Sequence, residues 1–307
     1  MNYKEQILLI QKLTGLTQDE IARKLGVTFV ALNRWLNDRA KPREKVKEKI
    51  NKLYSEISGQ NKLPEDLHLA KEQIVKEKNK LHKDILKYIL ENIDIKNQFV
   101  LELTYNSNSI EGSTLSENET AAIIFHNKTF PSKSVIEHLE AKNHQTALEF
   151  LFNHLADKKT VDEKLILKLH SILMNGIHSD AGFYRRHGVR IVGSNVPTAN
   201  HVKVPYLMEQ LVKDLADKKN NYTEHVAKIH AKFEQIHPFG DGNGRVGRLI
   251  MNAMLLKQNI APAVIKQKQK HKYYSCLNTA QIKEDFKPLQ DFIIDSIIEG
   301  YKIIERA

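Results

Sequence analysis

Residues 237–257 read HPFGDGNGRVGRLIMNAMLLK, and the stretch divides into two halves with different physics. Three glycines fall within positions 240–244, a density no helix tolerates, whereas Leu249, Ile250, Ala253 and Leu256 return at helical spacing after Arg245. The reading is a tight loop feeding the first turn of an apolar helix. Such a junction leaves backbone N–H groups without partners, turns the positive end of the helix dipole toward the loop, and lets an anion approach the bare glycine backbone. Arg245 and Arg248, three apart, share a helix face and present two guanidinium forks to neighbouring phosphates. Asp241 supplies a hard oxygen of the kind magnesium takes together with phosphate oxygens. His237 is a base for activating a hydroxyl, an effect worth roughly a hundred- to ten-thousand-fold. These parts add up to phosphate chemistry on a nucleotide.

The rest of the chain supports a helical frame for that loop. Over 307 residues there are only 13 Gly and 8 Pro, gathered at a few punctuation points, which argues against a parallel-sheet nucleotide fold. Helical patterns run near 96–110, 117–126, 133–156, 162–174, 205–217, 222–236, 243–258, 270–281 and 288–304, and residues 65–91 read as one charged helix. The one strand-like signal is 188–193, where Val189, Arg190, Ile191 and Val192 lie between Gly188 and Gly193 and predict a small β-hairpin. The expected fold class is all-α. A hydrophobic share of 41% excludes a disordered chain, and the lone cysteine, Cys276, excludes an internal disulfide. No zinc framework is recognisable despite 14 histidines. No signal-peptide pattern opens the sequence and no apolar run reaches the roughly 18 residues of a membrane span, so the expected location is cytoplasmic, without a membrane partner.

The net charge of +10 favours partners that carry phosphate. Half of that excess sits in residues 1–58, ahead of a polar stretch at 58–64 that ends in Pro64. The expected organisation is therefore a basic domain over 1–60, a linker and connecting helix over 61–95, and a catalytic domain over 96–307. Within the first, Thr17 and Glu20 form a capping box, Ile21, Ala22 and Leu25 share a face, and Gly26 stops the helix. A second helix over 28–36 turns Leu32, Trp35 and Leu36 inward and leaves Thr28, Phe29, Val30, Asn33 and Arg34 outside. Two short helices joined by a glycine turn have the geometry that reads a DNA major groove. The segment resembles the phage-repressor type of helix-turn-helix domain, which makes Gln18, Thr28, Phe29, Asn33 and Arg34 its expected DNA contacts. A small bundle used for protein contacts is the other reading of the same residues.

Residues 237–248 resemble, at every specified position, the H-x-F-x-[DE]-G-N-G-R-x-x-R signature of the Fic family, enzymes that transfer AMP from ATP to protein hydroxyls. The resemblance implies a Fic-type helical bundle with ATP as co-substrate and magnesium as cofactor. It implies that His237 takes the proton from a target Tyr, Thr or Ser, that Asp241 holds magnesium, and that Phe239 anchors the loop. Gly240, Gly242, Asn243, Gly244 and Arg245 would hold the α- and β-phosphates, with Arg248 reaching the γ-phosphate.

Residues 107–112, SNSIEG, resemble the [ST]-x-x-x-E-[GN] inhibitory motif of the same family. Ser107, Glu111 and Gly112 would then end an inhibitory helix over 100–112 whose glutamate denies Arg248 to ATP. Val189, Arg190, Ile191, Val192 and Gly193 resemble the family's flap, on which a target segment docks as an added strand. Tyr273, Tyr274, Leu277 and Gln281 match positions that line the adenine pocket, although Gln281 stands where close relatives often carry asparagine and Tyr273 also reads as plain core. The expected function is a self-inhibited adenylyltransferase acting on an unidentified target protein, with a DNA-binding module. A transcription regulator that only senses the nucleotide, and an enzyme that removes AMP, remain open alternatives. Exposed helices also leave a homodimer open.

Overall fold

The computed structural model describes residues 1–60, 64–191, 195–217 and 221–305. The chain forms two compact units, Met1–Leu81 and His82–Ala307. The first contains α1 (Tyr3–Thr14), α2 (Gln18–Leu25), α3 (Phe29–Leu36), α4 (Glu44–Ser58) and α5 (Leu67–Leu81). Its core joins Ile7 and Ile10 of α1 to Ile21, Leu32, Ile50 and Tyr54, all fully buried. The α2 start is a capping box in which Thr17 Oγ1 accepts from the Glu20 amide and Glu20 returns the bond to the Thr17 amide. Gly26, at φ 69°, ends α2 in the left-handed region, and Thr28 caps α3. Leu32, Trp35 and Leu36 are buried, while Thr28, Phe29, Val30 and Arg34 are exposed.

The second unit contains α6 (Ile85–Glu91), α7 (Ile93–Glu111), α8 (Glu117–His126), α9 (Val135–Ala156), α10 (Glu163–Leu173), α11 (Val204–Ala216), α12 (Tyr222–Ile236), α13 (Asn243–Lys257), α14 (Lys270–Lys283) and α15 (Lys287–Ile304). Its centre is α13, buried on all sides and packed by α7, α9, α10 and α12. This explains why RVGRLIMNAMLLK is apolar around its circumference after the first turn. The glycine loop sits at the N-terminus of this helix. No helix among the described residues is long and apolar enough to cross a membrane.

Two expectations differ from what is described. Residues 65–91 are two helices, α5 and α6, because Asp84 Oδ1 accepts from the Lys87 amide and starts a new helix. Asn259 fixes that break, its Nδ2 donating to the His82 carbonyl and its Oδ1 accepting from the Ile85 amide. The division between the two compact units falls between Leu81 and His82, so α5 belongs to the first and α6 to the second. Finally, the described residues contain no strand: Val189, Arg190 and Ile191 are irregular, and Val192 and Gly193 lie outside the described residues. In the described part of this segment, side chains bind the backbone carbonyls. Thr198 Oγ1 donates to the Val189 carbonyl, and Arg185 donates to those of His187 and Ala199.

Candidate active site

The site begins where α12 stops. His237 is the C-cap of α12 at φ 51° and ψ 61°, a left-handed conformation that is uncommon for a side-chain-bearing residue. Its Nδ1 lies 3.1 Å from the Glu234 carbonyl oxygen, which can only accept, so Nδ1 carries the proton and Nε2 keeps its lone pair. Burial holds the imidazole's proton affinity below its ordinary value; the bond to the Glu234 carbonyl opposes this, the Arg185 charge reinforces it, and Glu111 and Asp241 oppose it. The result is a neutral ring with a free acceptor nitrogen.

After His237 the chain dives into the core through Phe239, which is fully buried. Its ring stacks on His170 at 3.7 Å with an interplanar angle of 7°, and Tyr184 and Phe233 complete the aromatic seat. His170 Nδ1 accepts from the Gly182 amide, so its Nε2 carries the proton and donates to the Asp241 carbonyl 3.1 Å away. Burial lowers the His170 pKa to about 4, which keeps it in this neutral form.

Asn243 departs from its expected role. Its Oδ1 accepts from the Phe239 amide and its Nδ2 donates to the Phe239 carbonyl, both at 2.9 Å, so the buried side chain closes the loop instead of facing a phosphate. This mutual pairing with the backbone of residue 239 sets the loop's shape. Gly242, at φ 77°, is the N-cap of α13 and supplies no side-chain cap, so the first amides of α13 face outward as an anion site.

Arg248 is buried one turn into α13. Its Nε donates to Ser107 Oγ at 2.9 Å, and its Nη2 to the Ser107 carbonyl at 3.1 Å and to Glu111 Oε1 at 2.7 Å. Glu111 is the last residue of α7, which Gly112 ends at φ 112°. The α7 terminus is fixed from several directions: Thr114 binds Glu137 on α9, the Asn106 side chain accepts from the Gln267 amide, and Glu102 pairs with Lys266. A Cβ on Gly244 would collide with Glu111 Oε1 and lie 2.9 Å from Arg248 Nη1, so this glycine makes room for the pair.

Arg245 is also buried, its Nη1 donating to Glu140 Oε1 at 2.6 Å and its Nη2 lying 3.4 Å from Asp241 Oδ2. Two guanidinium nitrogens, Arg245 Nε and Arg248 Nη1, are buried without an acceptor among the described residues. Orphaned cationic donors at a helix N-terminus fit a phosphate-bearing ligand. The Asp241 carboxylate is half exposed, its Oδ1 accepting from the Gly242 amide at 2.6 Å.

The expected adenine contacts divide. Tyr273 is fully buried, its hydroxyl 2.7 Å from His230 Nε2, and serves as core. Tyr274 is exposed and feels the charges of Glu111 and Arg248; Leu277 is buried, and Gln281 Nε2 donates to the Ala231 carbonyl at 3.1 Å. In the first unit, Asn33 Nδ2 lies 3.4 Å from Gln18 Oε1, so two expected DNA contacts touch each other.

Sequence reasoning missed Glu140, His170, Arg185 and Glu234, whose partners are set by tertiary contact. Glu234 on α12 is buried, its Oε1 without a partner among the described residues, and burial pushes its carboxyl up to about 8. The GFYR run at 182–185 was the one signal that could have pointed to Arg185.

A glycine-rich loop at the N-terminus of a central buried helix, with a histidine before it and a carboxylate-bound arginine in that helix, forms a candidate anion site in a unit whose described residues are helical or irregular. Residues 160–255 match the Fic/DOC family and residues 10–56 match the helix-turn-helix family, so the chain carries a Fic/DOC domain preceded by a helix-turn-helix domain. It is 34% identical over 200 residues to the protein adenylyltransferase Fic of Nematostella vectensis, covering 62% of this chain and 45% of that one. It is 31% identical over 204 residues to the protein of the same name from Drosophila yakuba, covering 65% and 41%. The chain thus spans less than half the length of these curated relatives. The fold is shared with a Fic-domain-containing signaling protein from Bacteroides thetaiotaomicron, at a TM-score of 0.65 and 24% identity over 76% of this chain and 95% of that one. It is shared too with Fic-1 from C. elegans, at a TM-score of 0.63 and 20% identity over 97% of each chain.

Proposed function

We propose that this chain transfers AMP from ATP to a Tyr, Thr or Ser hydroxyl of a target protein, and that Glu111 holds it inhibited at rest. The observation that carries this reading is the Glu111–Arg248 pair, set beside the uncapped start of α13 and the free Nε2 of His237. Binding a nucleotide needs only the anion site and the arginines; an imidazole with an open acceptor nitrogen serves the transfer step, which favours an enzyme over a sensor.

In the proposed reaction the α13 amides and Arg245 hold the α- and β-phosphates. His237 Nε2 takes the proton as the target oxygen bonds to the α-phosphorus, the bond to the β-phosphate bridge breaks, and pyrophosphate leaves. Arg248 meets the γ-phosphate only after leaving Glu111. Asp241 fits magnesium: it is a single half-exposed carboxylate beside the anion site, and among the described residues no cluster of three ligating side chains could hold a metal without phosphate oxygens. Magnesium bound there would neutralise phosphate charge. The exposed Arg34 and Thr28 of the first unit support DNA binding by residues 1–60.

Label transfer tests the reaction. With ATP labelled at the α-phosphorus, protein becomes labelled in a Glu111→Gly variant, and with γ-labelled ATP it does not. Label from the γ-position alone would replace AMP transfer with phosphoryl transfer.

A further inference from the structure

Arg185 is 2% exposed and forms no ion pair among the described residues, yet every arm of its guanidinium is engaged. Nε donates to the His237 carbonyl at 2.7 Å, and Nη2 reaches the Ile236 carbonyl at 3.3 Å. Nη1 donates to the His187 carbonyl at 2.7 Å, and Nη2 also to the Ala199 carbonyl at 2.5 Å. The Arg185 amide in turn donates to the Pro238 carbonyl at 2.9 Å. One side chain thus grips the turn that carries the candidate base and both described limbs of the segment that follows, 186–191 and 195–199. Thr198 Oγ1 closes the limbs on each other through the Val189 carbonyl, 2.7 Å away.

The backbone of His237 explains why such a grip is needed. A histidine at φ 51° is in a sparsely populated region, and such a conformation persists only where its surroundings over-determine it. A planar fork with several donors in fixed geometry does this, whereas an ammonium on a flexible stem satisfies one or two carbonyls without fixing their mutual angle. Burying a cation is costly, and here the bonds to four carbonyls offset that cost in place of a carboxylate.

We propose that Arg185 is a positioning residue: it holds the His237 turn and locks it to the two described limbs, 186–191 and 195–199, so that the base and the surface these limbs offer to a target hydroxyl are aligned as one body. The inference rests on the AMP-transfer reading and adds to it the part that aims the acceptor. The hydroxyl must arrive within hydrogen-bond reach of Nε2 and in line with the α-phosphorus, and a misplacement of about 1 Å costs roughly a hundredfold in rate.

The test uses full-length Glu111→Gly protein, with α-labelled ATP and magnesium, and follows AMP incorporation into the protein itself. Adding Arg185→Lys should lower the saturated rate roughly a hundredfold while the ATP concentration at half-saturation moves less than about twofold, because the α13 anion site is untouched. Thr198→Val, at a half-exposed surface position, should lower the rate several-fold in the same way and act non-additively with Arg185→Lys. A rate within about twofold of the parent, or a loss matched by equal loss of ATP affinity, overturns the proposal. If Glu111→Gly incorporates no AMP, the transfer reading fails on its own. Arg185 is then judged by the ring signals of His237 in protein carrying 15N-histidine. Arg185→Lys and Thr198→Val should each shift them, and if Arg185→Lys does not fold, Thr198→Val decides. Unmoved signals overturn the proposal.

Discussion

Glu111 and Arg248 stand 137 positions apart in sequence and meet at 2.7 Å, the carboxylate closing α7 onto a guanidinium one turn into α13. Arg248 and the helix end that carries Glu111 are both anchored in the fold. Arg248 is 5% exposed and also bound to Ser107, and α7 is fixed on both sides of Glu111 by Asn106 and Thr114. A ligand that needs Arg248 must therefore displace a preformed pair, and only its differential affinity for the opened state can do so. Couplings of this kind are worth about 1–3 kcal/mol, roughly 5- to 150-fold.

Gly244→Ala should loosen this pair. The new methyl takes space occupied by Glu111 Oε1, a flexible side-chain end that can yield, so the cost falls on the ion pair and not on the α13 backbone. The melting temperature should drop in the wild-type background and drop less when Glu111 is already glycine. Equal losses in both backgrounds would mean the methyl strains something else.

His237 should titrate below its ordinary value of about 6.5. Burial is the main cause; in the folded protein the ring stays neutral through pH 7 and gains its proton only at lower pH. The Glu111 charge pulls the other way, so removing it in Glu111→Gly should lower the value further. Titration of the ring by NMR in both proteins checks the sign, and the acid limb of transfer activity should follow it.

How much of this was legible in the sequence depends on where each signal lives. The α2 and α3 boundaries, with Thr17, Glu20, Gly26 and Thr28 as caps, were readable because capping is local chemistry. So was the loop-to-helix change at 237–257, since three glycines and a helical apolar repeat cannot share one conformation. The partner of Asn243 was not readable: an asparagine beside an anion loop looks like a ligand until the Phe239 backbone is seen to occupy both ends of its amide. The hairpin expected over 188–193 is not seen in the described residues, where Thr198 binds the Val189 carbonyl and Arg185 those of His187 and Ala199, contacts that alternation alone does not announce. Glu140 and His170 sit on helix faces that look like ordinary surface and core, and only folding brings them to Arg245 and to the Asp241 carbonyl.

Glu137 should make the site acid-sensitive. Hydrogen bonds from the Thr114 hydroxyl and amide, with those from Ser134, lower its carboxyl from 4.5 to about 2. The stabilisation is full above pH 4.5, shrinks as pH falls, and is gone once the folded-state value is passed. Glu137→Gln should therefore reduce the melting temperature at pH 7 and converge with wild type near pH 2. A constant difference across that range would remove the carboxylate from the account.

In the first unit, Arg34 is exposed on α3 and joins no ion pair among the described residues. If it meets a DNA phosphate, Arg34→Ala should weaken binding similarly on all sequences and reduce the salt slope by about 1. A change confined to one base position would make it a reader of sequence instead. Binding that ignores Arg34 altogether would favour protein contacts for this domain.

The central claim is that Glu111 keeps Arg248 from the nucleotide that His237 would use, and the intact mass of the protein after incubation with ATP and magnesium tests it most directly. Glu111→Gly should gain one AMP unit where wild type gains little, and Glu111→Gly combined with His237→Ala should gain none. Equal modification of wild type and Glu111→Gly, or a double variant that still takes up AMP, would contradict it.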